Sequence, residues 1–293
     1  MIGPHDMIRN KFLPVWQELE KGEHPIRARD IRHMDWADFR HHVAQQNDKF
    51  IETLLPNLYA GDIYILHQAF DPAFMVRIRE EAFAYGQSRP SEFHKMLEGS
   101  PDFHRIIDLE TGKKYSFQVC KHSYFFYPWN DDPLELFFTV NKRWRVIKHF
   151  IGLHHAAYET NTPKDGVVDR IQIAQYPSRY GFLEPHSDPY MHQRLFFSGY
   201  MSKRGVDYDG GGFYLVGEND KVVEIEDEID VGDVGIGYAT VYHGVAPCNR
   251  HLEPDWNSQA GRWFLSMYSN ASDEVKDRHT GYPVKLDLPG VLP

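Results

Sequence analysis

YGFLEPHSDPY, residues 180–190, sets an imidazole and a carboxylate two positions apart, at His186 and Asp188. Along a strand, residues i and i+2 point to the same face. Both side chains can therefore reach one ion without bending the chain. Outward from this stretch the sequence is strand-like. Short runs at 167–176, 194–202, 211–216, 221–229, 234–240 and 262–269 alternate with turns at Gly205, 209–212, 218–220 and 231–233. Many short strands with no helices between them predict a sandwich or barrel. A second histidine, His243, lies in GYATVYHGVAPC (237–248), just after a strand and several hairpins beyond the first pair.

The chain before residue 161 reads differently. Trp36, Phe39, Val43, Phe50 and Leu54 recur at helical spacing behind Asp35 as a cap. Residues 61–70 read as a strand. Asp71-Pro72 reads as a cap with proline in the first turn, opening a helix to about Tyr85. Residues 86–114 read as loop with a short helix, 115–129 as an aromatic strand, and 133–155 as a helix. The expected fold is mainly β with helical support: a double-stranded β-helix, or jelly-roll, cupin-like core. It is laid out as one domain over 1–293, with helical support to 160, the β core over 161–270 and a C-terminal tail over 271–293.

Composition limits the chemistry. The 293 residues carry 32 Lys and Arg against 42 Asp and Glu, a net charge of −10, which disfavours a nucleic-acid partner because phosphate binding needs a basic surface. No apolar run has the length of a membrane span, and MIGPHDMIRNKF (1–12) lacks the apolar stretch of a signal peptide. A cytoplasmic location is the expectation. Cys120 and Cys248 are the only cysteines, so neither a disulfide framework nor a CxxC metal site is available. Histidine with carboxylate is the remaining route to a transition metal. A lone His-x-Asp says little among 17 histidines; the adjacent pairs His41-His42 and His154-His155 point different ways and are assigned nothing. His186 and Asp188 stand apart because a distal histidine follows at the end of a later strand and an arginine opens the next. Two imidazoles and one carboxylate on one side of an ion leave its other positions open, as mononuclear non-haem iron oxygenases require.

At these residues the sequence resembles the Fe(II)/2-oxoglutarate-dependent dioxygenase superfamily, in its prolyl-hydroxylase-like branch. The matching stretches are Tyr176-Pro177, His186-Ser187-Asp188, the GGGF turn (210–213), VGDVGIGY (231–238) before YHGVAP, and GRWFLSMYS (261–269). Together they cover about residues 165–270, and 61–85 resembles the strand and helix that precede the core. The resemblance implies a double-stranded β-helix with Fe(II) on His186, Asp188 and His243. It also implies 2-oxoglutarate as cosubstrate, O2, and ascorbate as reductant. Arg262 would pair with the far carboxylate of 2-oxoglutarate, a role suited to a planar, always-charged fork. Tyr176 would hydrogen-bond the cosubstrate, with Tyr200 as the weaker candidate for that task.

The reaction so implied is hydroxylation of a C–H bond with release of succinate and CO2. Desaturation, ring closure and epimerisation share the same residues, and halogenation is disfavoured by Asp188. A small molecule, an amino acid or natural-product intermediate, is the first expectation for substrate, with Tyr190, His192 and Trp256 as candidate contacts. A protein side chain is second, and a non-catalytic cupin-like metal-binding protein is the rival from outside enzymology. The interval from His243 to Arg262 is longer than the resemblance leads one to expect. Its extra segment, NRHLEPDWNSQA (249–260), reads slightly better as a solvated excursion than as an active-site loop. Arg250 is set aside as cosubstrate anchor because it precedes the last strand. The aromatic run at Tyr124, Phe125, Phe126, Tyr127 and Trp129 reads as core before it reads as pocket lining.

Overall fold

The structure is a computed structural model that describes residues 10–288 and 290–291. The first nine residues, on which part of the leader reading rests, and part of the expected tail lie outside the described residues. A helix α1 (Phe12–Leu19) leads into strand β1 (Ile31–Asp35), then α2 (Trp36–Gln45), α3 (Asp48–Tyr59), β2 (Ile63–His67) and α4 (Pro72–Gln87). The single helix expected from Trp36 to Leu54 is two. Gln46 takes a left-handed φ of 45° and ends α2, and the Asn47 side chain accepts from the Phe50 N–H to start α3. Asp71 caps α4 as expected, its carboxylate accepting from the Ala73 N–H at 2.9 Å. Residues 86–114 hold a strand that the sequence hides, β3 (Phe103–Ile107), before the short α5 (Leu109–Gly112). Strand β4 (Val119–Phe126) and helix α6 (Leu136–Phe150) complete the first part.

The second part is nearly all strand: β5 (Val167–Pro177), β6 (Phe182–Ser187), β7 (Leu195–Tyr200), β8 (Gly212–Val216), β9 (Val222–Glu224), β10 (Val234–Tyr238), β11 (His243–Ala246), β12 (Gly261–Ala271) and β13 (Tyr282–Pro283). Hydrogen bonding arranges them into two facing sets. One runs β1-β2-β10-β7-β12-β5-β4, with β3 beside β4; the other runs β6-β11-β8-β9, with β13 beside β6. Strand β4 joins them, pairing Val119 and Cys120 with β6 and His122–Phe126 with β5. This is the double-stranded β-helix core expected, with helices against the wider sheet. The run at 221–229 is a strand only to Glu224; a tight turn at Glu226–Glu228 takes over.

A continuous apolar cluster extends from Phe12 and Trp16 through Leu54, Ile65 and Phe150 to Ile236, Leu265 and Met267, so helices and sheet share one core. Burial of such side chains contributes about 1.5–3 kcal/mol each. Tyr124, Phe126 and Tyr127 belong to buried clusters, as the core reading has it; Phe125 and Trp129 pack half-buried against the cluster of Tyr127, and Phe125 also lines a cavity. Among the described residues no helix is long and apolar enough to cross a membrane.

Candidate metal centre and cosubstrate slot

Strand pairing brings the two histidines together. His243, the first residue of β11, lies opposite His186 near the end of β6, and their ring centroids are 4.4 Å apart. Asp188 follows one residue beyond β6 and is fixed by its backbone N–H, which donates to the Ala239 carbonyl at 2.9 Å. One ligand atom from each of the three lies within 4.8 Å of the others, and all three residues are buried. The Asp188 carboxylate oxygens are 3.7 and 3.8 Å from His186 Nε2 and His243 Nε2.

Hydrogen bonds set the tautomers. His186 Nδ1 is 3.0 Å from the Glu184 carbonyl and His243 Nδ1 is 2.9 Å from the Val241 carbonyl. A carbonyl only accepts, so each Nδ1 carries the proton and each Nε2 turns a lone pair towards Asp188. Burial, with His243 alongside, holds the His186 imidazolium form well below the ordinary histidine range, so the ring stays neutral. Burial raises Asp188, against the pull of His243, Lys121 and Arg170; a bound dication reverses that. Three donors of this type, buried and converging, fit a divalent transition metal with an open side.

Behind the triad, between the two sheets, a narrow slot of about 30 Å³ is lined by Tyr176, Phe196, Ser198, Phe213, Arg262 and Phe264. Arg262 is 2% exposed and sits opposite Tyr176 in the β12–β5 pairing. Its Nε donates to Glu226 at 2.6 Å. Glu226 is itself buried and also accepts from the Tyr208 hydroxyl and from the Phe213 N–H at 2.5 Å. The sequence reading missed Glu226, one of several acids in VVEIEDEID (222–230), where nothing marks which is buried. Among the described residues Glu226 is the only hydrogen-bond partner of the Arg262 side chain, so its two terminal nitrogens remain for a ligand. The Tyr176 hydroxyl is buried with no partner, a polar group of the kind that calls for one.

The other candidates fall elsewhere. Tyr200 is buried with its ring 5.7 Å from the Arg262 guanidinium but does not line the slot. Tyr190 packs on His24 at 4.3 Å between centroids and His192 is half-buried; neither lines the slot or the cavity outside the triad. Trp256 lies 6.4 Å from the ring of His122. His122 and Tyr124 face α4 at Gly86, whereas Lys121 and Phe125 face the cavity, so alternation along β4 puts Trp256 behind the sheet. Segment 249–260 is largely exposed and is tied down where the Gln175 amide donates to the carbonyls of Ser258 and Ala260. Arg250 is exposed and reaches the carbonyls of Gly290 and Val291.

No family model and no curated protein matches the chain. Among solved structures it is similar to a Pseudomonas putida prolyl-4-hydroxylase, at 11% identity over 71% of this chain and 91% of that one, TM-score 0.43. It is similar to the full-length Neurospora crassa thymine 7-hydroxylase in complex with alpha-KG and thymine, at 14% identity over 82% and 86%, TM-score 0.47. It is also similar to a Trichoplax adhaerens prolyl hydroxylase in complex with a hypoxia inducible factor peptide fragment, at 14% over 79% and 92%, TM-score 0.45. At this distance the likeness is one of chain course, and the functional reading rests on the side chains of the site.

Proposed function

We propose that this protein is an Fe(II)- and 2-oxoglutarate-dependent oxygenase that hydroxylates a C–H bond of a small molecule. The observation that supports it most is the pairing of a buried His186–Asp188–His243 face with a buried arginine at the inner end of an adjoining slot. A structural metal site needs neither open positions nor an anion anchor, which separates this reading from the cupin-like metal-binding alternative. When bound, iron would supply oxidative decarboxylation of the cosubstrate and oxidation of the substrate.

The chain's own residues do the rest. His186 and His243 present neutral Nε2 donors, and Asp188 supplies the one ligand charge. Glu226 holds Arg262 by Nε, so the terminal nitrogens form a preoriented fork for a carboxylate. The Tyr176 hydroxyl supplies a further hydrogen bond to the cosubstrate. Phe196, Phe213 and Phe264 exclude water, which strengthens the arginine–carboxylate attraction. A five-carbon diacid occupies the slot only as its side-chain walls move apart.

The test is succinate formation by purified protein given Fe(II), ascorbate, O2 and 2-oxoglutarate without substrate, alongside Fe(II) content by elemental analysis. Succinate is expected from the wild type, and neither iron nor succinate from His186→Ala or Asp188→Ala. Full iron occupancy in either variant would refute the ligand assignment; iron binding with no 2-oxoglutarate consumption would refute the cosubstrate.

A further inference from the structure

Outside the triad, on the side away from Arg262, opens a second cavity of about 180 Å³. His186 and Asp188 form its floor, and Leu183, Phe264 and Tyr268 are common to it and to the slot. Its walls carry Phe93, Tyr115, Phe117 and Phe125, with the Phe117 ring stacked on His186 at 4.9 Å. Four cations also line it: Arg105 on β3, Lys121 on β4, Arg170 on β5 and Arg278 before β13. Among the described residues the only carboxylate in the lining is Asp188, a proposed metal ligand.

Arg278 is accounted for, with Asp273 at 3.0 Å and the Ala271 carbonyl at 2.8 Å. The other three have no carboxylate within ion-pair distance among the described residues. The Arg105 guanidinium rests on Phe93 and Tyr115, at 4.5 and 5.4 Å. The Arg170 guanidinium lies 5.2 Å from the Phe125 ring and 5.4 Å from Tyr268, and its Nε is buried without a partner. The Lys121 ammonium has no hydrogen-bond partner among the described residues. Burial, with Arg170 adding to it and Asp188 opposing, brings its ammonium down to about 8. Uncompensated cations in a half-dry cavity cost stability. The aromatic contacts of Arg105 and Arg170 offset only part of that cost, and Lys121 has no such contact among the described residues.

We propose that this cavity binds a small anionic substrate, a carboxylate or phosphate on a flat apolar body, with Lys121 and Arg170 taking the charge and the aromatic walls taking the body. The proposal rests on the reading of His186, Asp188 and His243 as the reaction centre, which the cavity floor would present to the substrate. An anion held there meets a flexible point charge and a planar fork together, a pair that grips either a carboxylate or a phosphate. In a chain of net charge −10, three unpaired cations at one cavity also draw anions from solution towards an opening that the rest of the surface would repel.

The test is equilibrium binding by calorimetry to the anaerobic Fe(II) and 2-oxoglutarate-loaded protein. The probes are hydrocinnamate, phenyl phosphate and the neutral hydrocinnamide. The anions are expected to bind at least about tenfold more tightly than the amide, equivalent to 1.4 kcal/mol. Lys121→Met and Arg170→Gln should each remove that preference, and Lys121→Arg should restore most of it. A stronger response to phenyl phosphate would mark a phosphate source, and to hydrocinnamate a carboxylate one. Equal binding of acid and amide, no binding of either anion at millimolar concentration, or variants that keep the preference would each overturn the proposal. The affinity for 2-oxoglutarate, titrated separately, distinguishes the two readings. If Lys121→Met and Arg170→Gln abolish it while Arg262→Lys does not, these cations hold the cosubstrate and the cavity is not an anionic-substrate site. If no variant and no ligand registers 2-oxoglutarate at all, the oxygenase reading itself has failed.

Discussion

At the Arg262 guanidinium two demands meet. Its Nε is committed to Glu226 at 2.6 Å, and both side chains are buried. Removing one member of such a pair typically costs about 3–5 kcal/mol, because the other is left charged and dry. Arg262→Ala is therefore expected to lower the urea midpoint strongly, with Tyr208 and the Phe213 N–H left as the only donors to Glu226. Combining Arg262→Met with Glu226→Gln should recover most of that stability without restoring 2-oxoglutarate affinity. Arg262→Lys places one ammonium where a fork served two acceptors, and about a tenfold to hundredfold loss in 2-oxoglutarate affinity is expected. A double variant no more stable than Arg262→Ala would show that the ion pair is not the source of the cost. The arginine is legible in GRWFLSMYS. Its acid is not, because a strand pattern laid over 221–229 makes Glu226 one more alternating polar position.

Among the elements, the glycine run that leads into β8 and opens it decides the geometry of that pair. Gly212 has φ of +105°, and a Cβ there would stand 2.5 Å from Glu226 Cγ. Gly211 has φ of +55°, and its Cβ would stand 2.2 Å from the Pro247 carbonyl oxygen. Gly210 has φ of +60° with open space around it. Gly210→Ala should thus cost only about 1 kcal/mol of backbone strain. Gly212→Ala should displace Glu226 and lower both the melting temperature and 2-oxoglutarate affinity. Equal effects of the two substitutions, in melting and in titration, would mean that Glu226 does not position Arg262. Other elements show how far sequence patterning carries. Helix α4 is readable because Asp71-Pro72 marks its start. Strand β1 is not, since IRHMD is half-exposed with no apolar alternation, and its order comes from parallel pairing with β2. The proposed metal ligands are readable because two lie within three residues; the cations of the outer cavity span Arg105 to Arg278, and only the β3-β4-β5 order and the pairing of β13 with β6 gather them.

For the molecule as a whole, the net charge of −10 conceals a basic interior cavity, which is why composition alone argues against anionic partners in general and is silent on small ones. Its stability also carries a signature in pH. Burial pushes Asp102 up to about 6, despite hydrogen bonds from the Asn130 amide and the Tyr127 N–H. The unfolded chain releases that proton near the ordinary value of 3.8. Between these values the folded state holds more protons than the unfolded state, so this group's contribution to stability falls as pH rises through the window. Asp102→Asn removes the loss. Its stability relative to the wild type should increase from about pH 4 to about 6 and level off above, measured by urea denaturation across pH. A difference that is flat across that range would mean that Asp102 ionises in the folded protein as it does in the unfolded one.

Strand β13 has a consequence for the order in which the molecule is made. Tyr282 and Pro283 pair with Ser187 and His186, and Arg278 and Thr280 stand in the cavity wall just before them. All three proposed metal ligands and Arg262 precede this segment along the chain. During synthesis, the strands that carry the proposed ligands can emerge and pair before Arg278, Thr280 and β13 add their part of the outer wall. An ion bound by the proposed ligands would therefore have a wider approach in the nascent protein than in the finished one, where this segment narrows the way in.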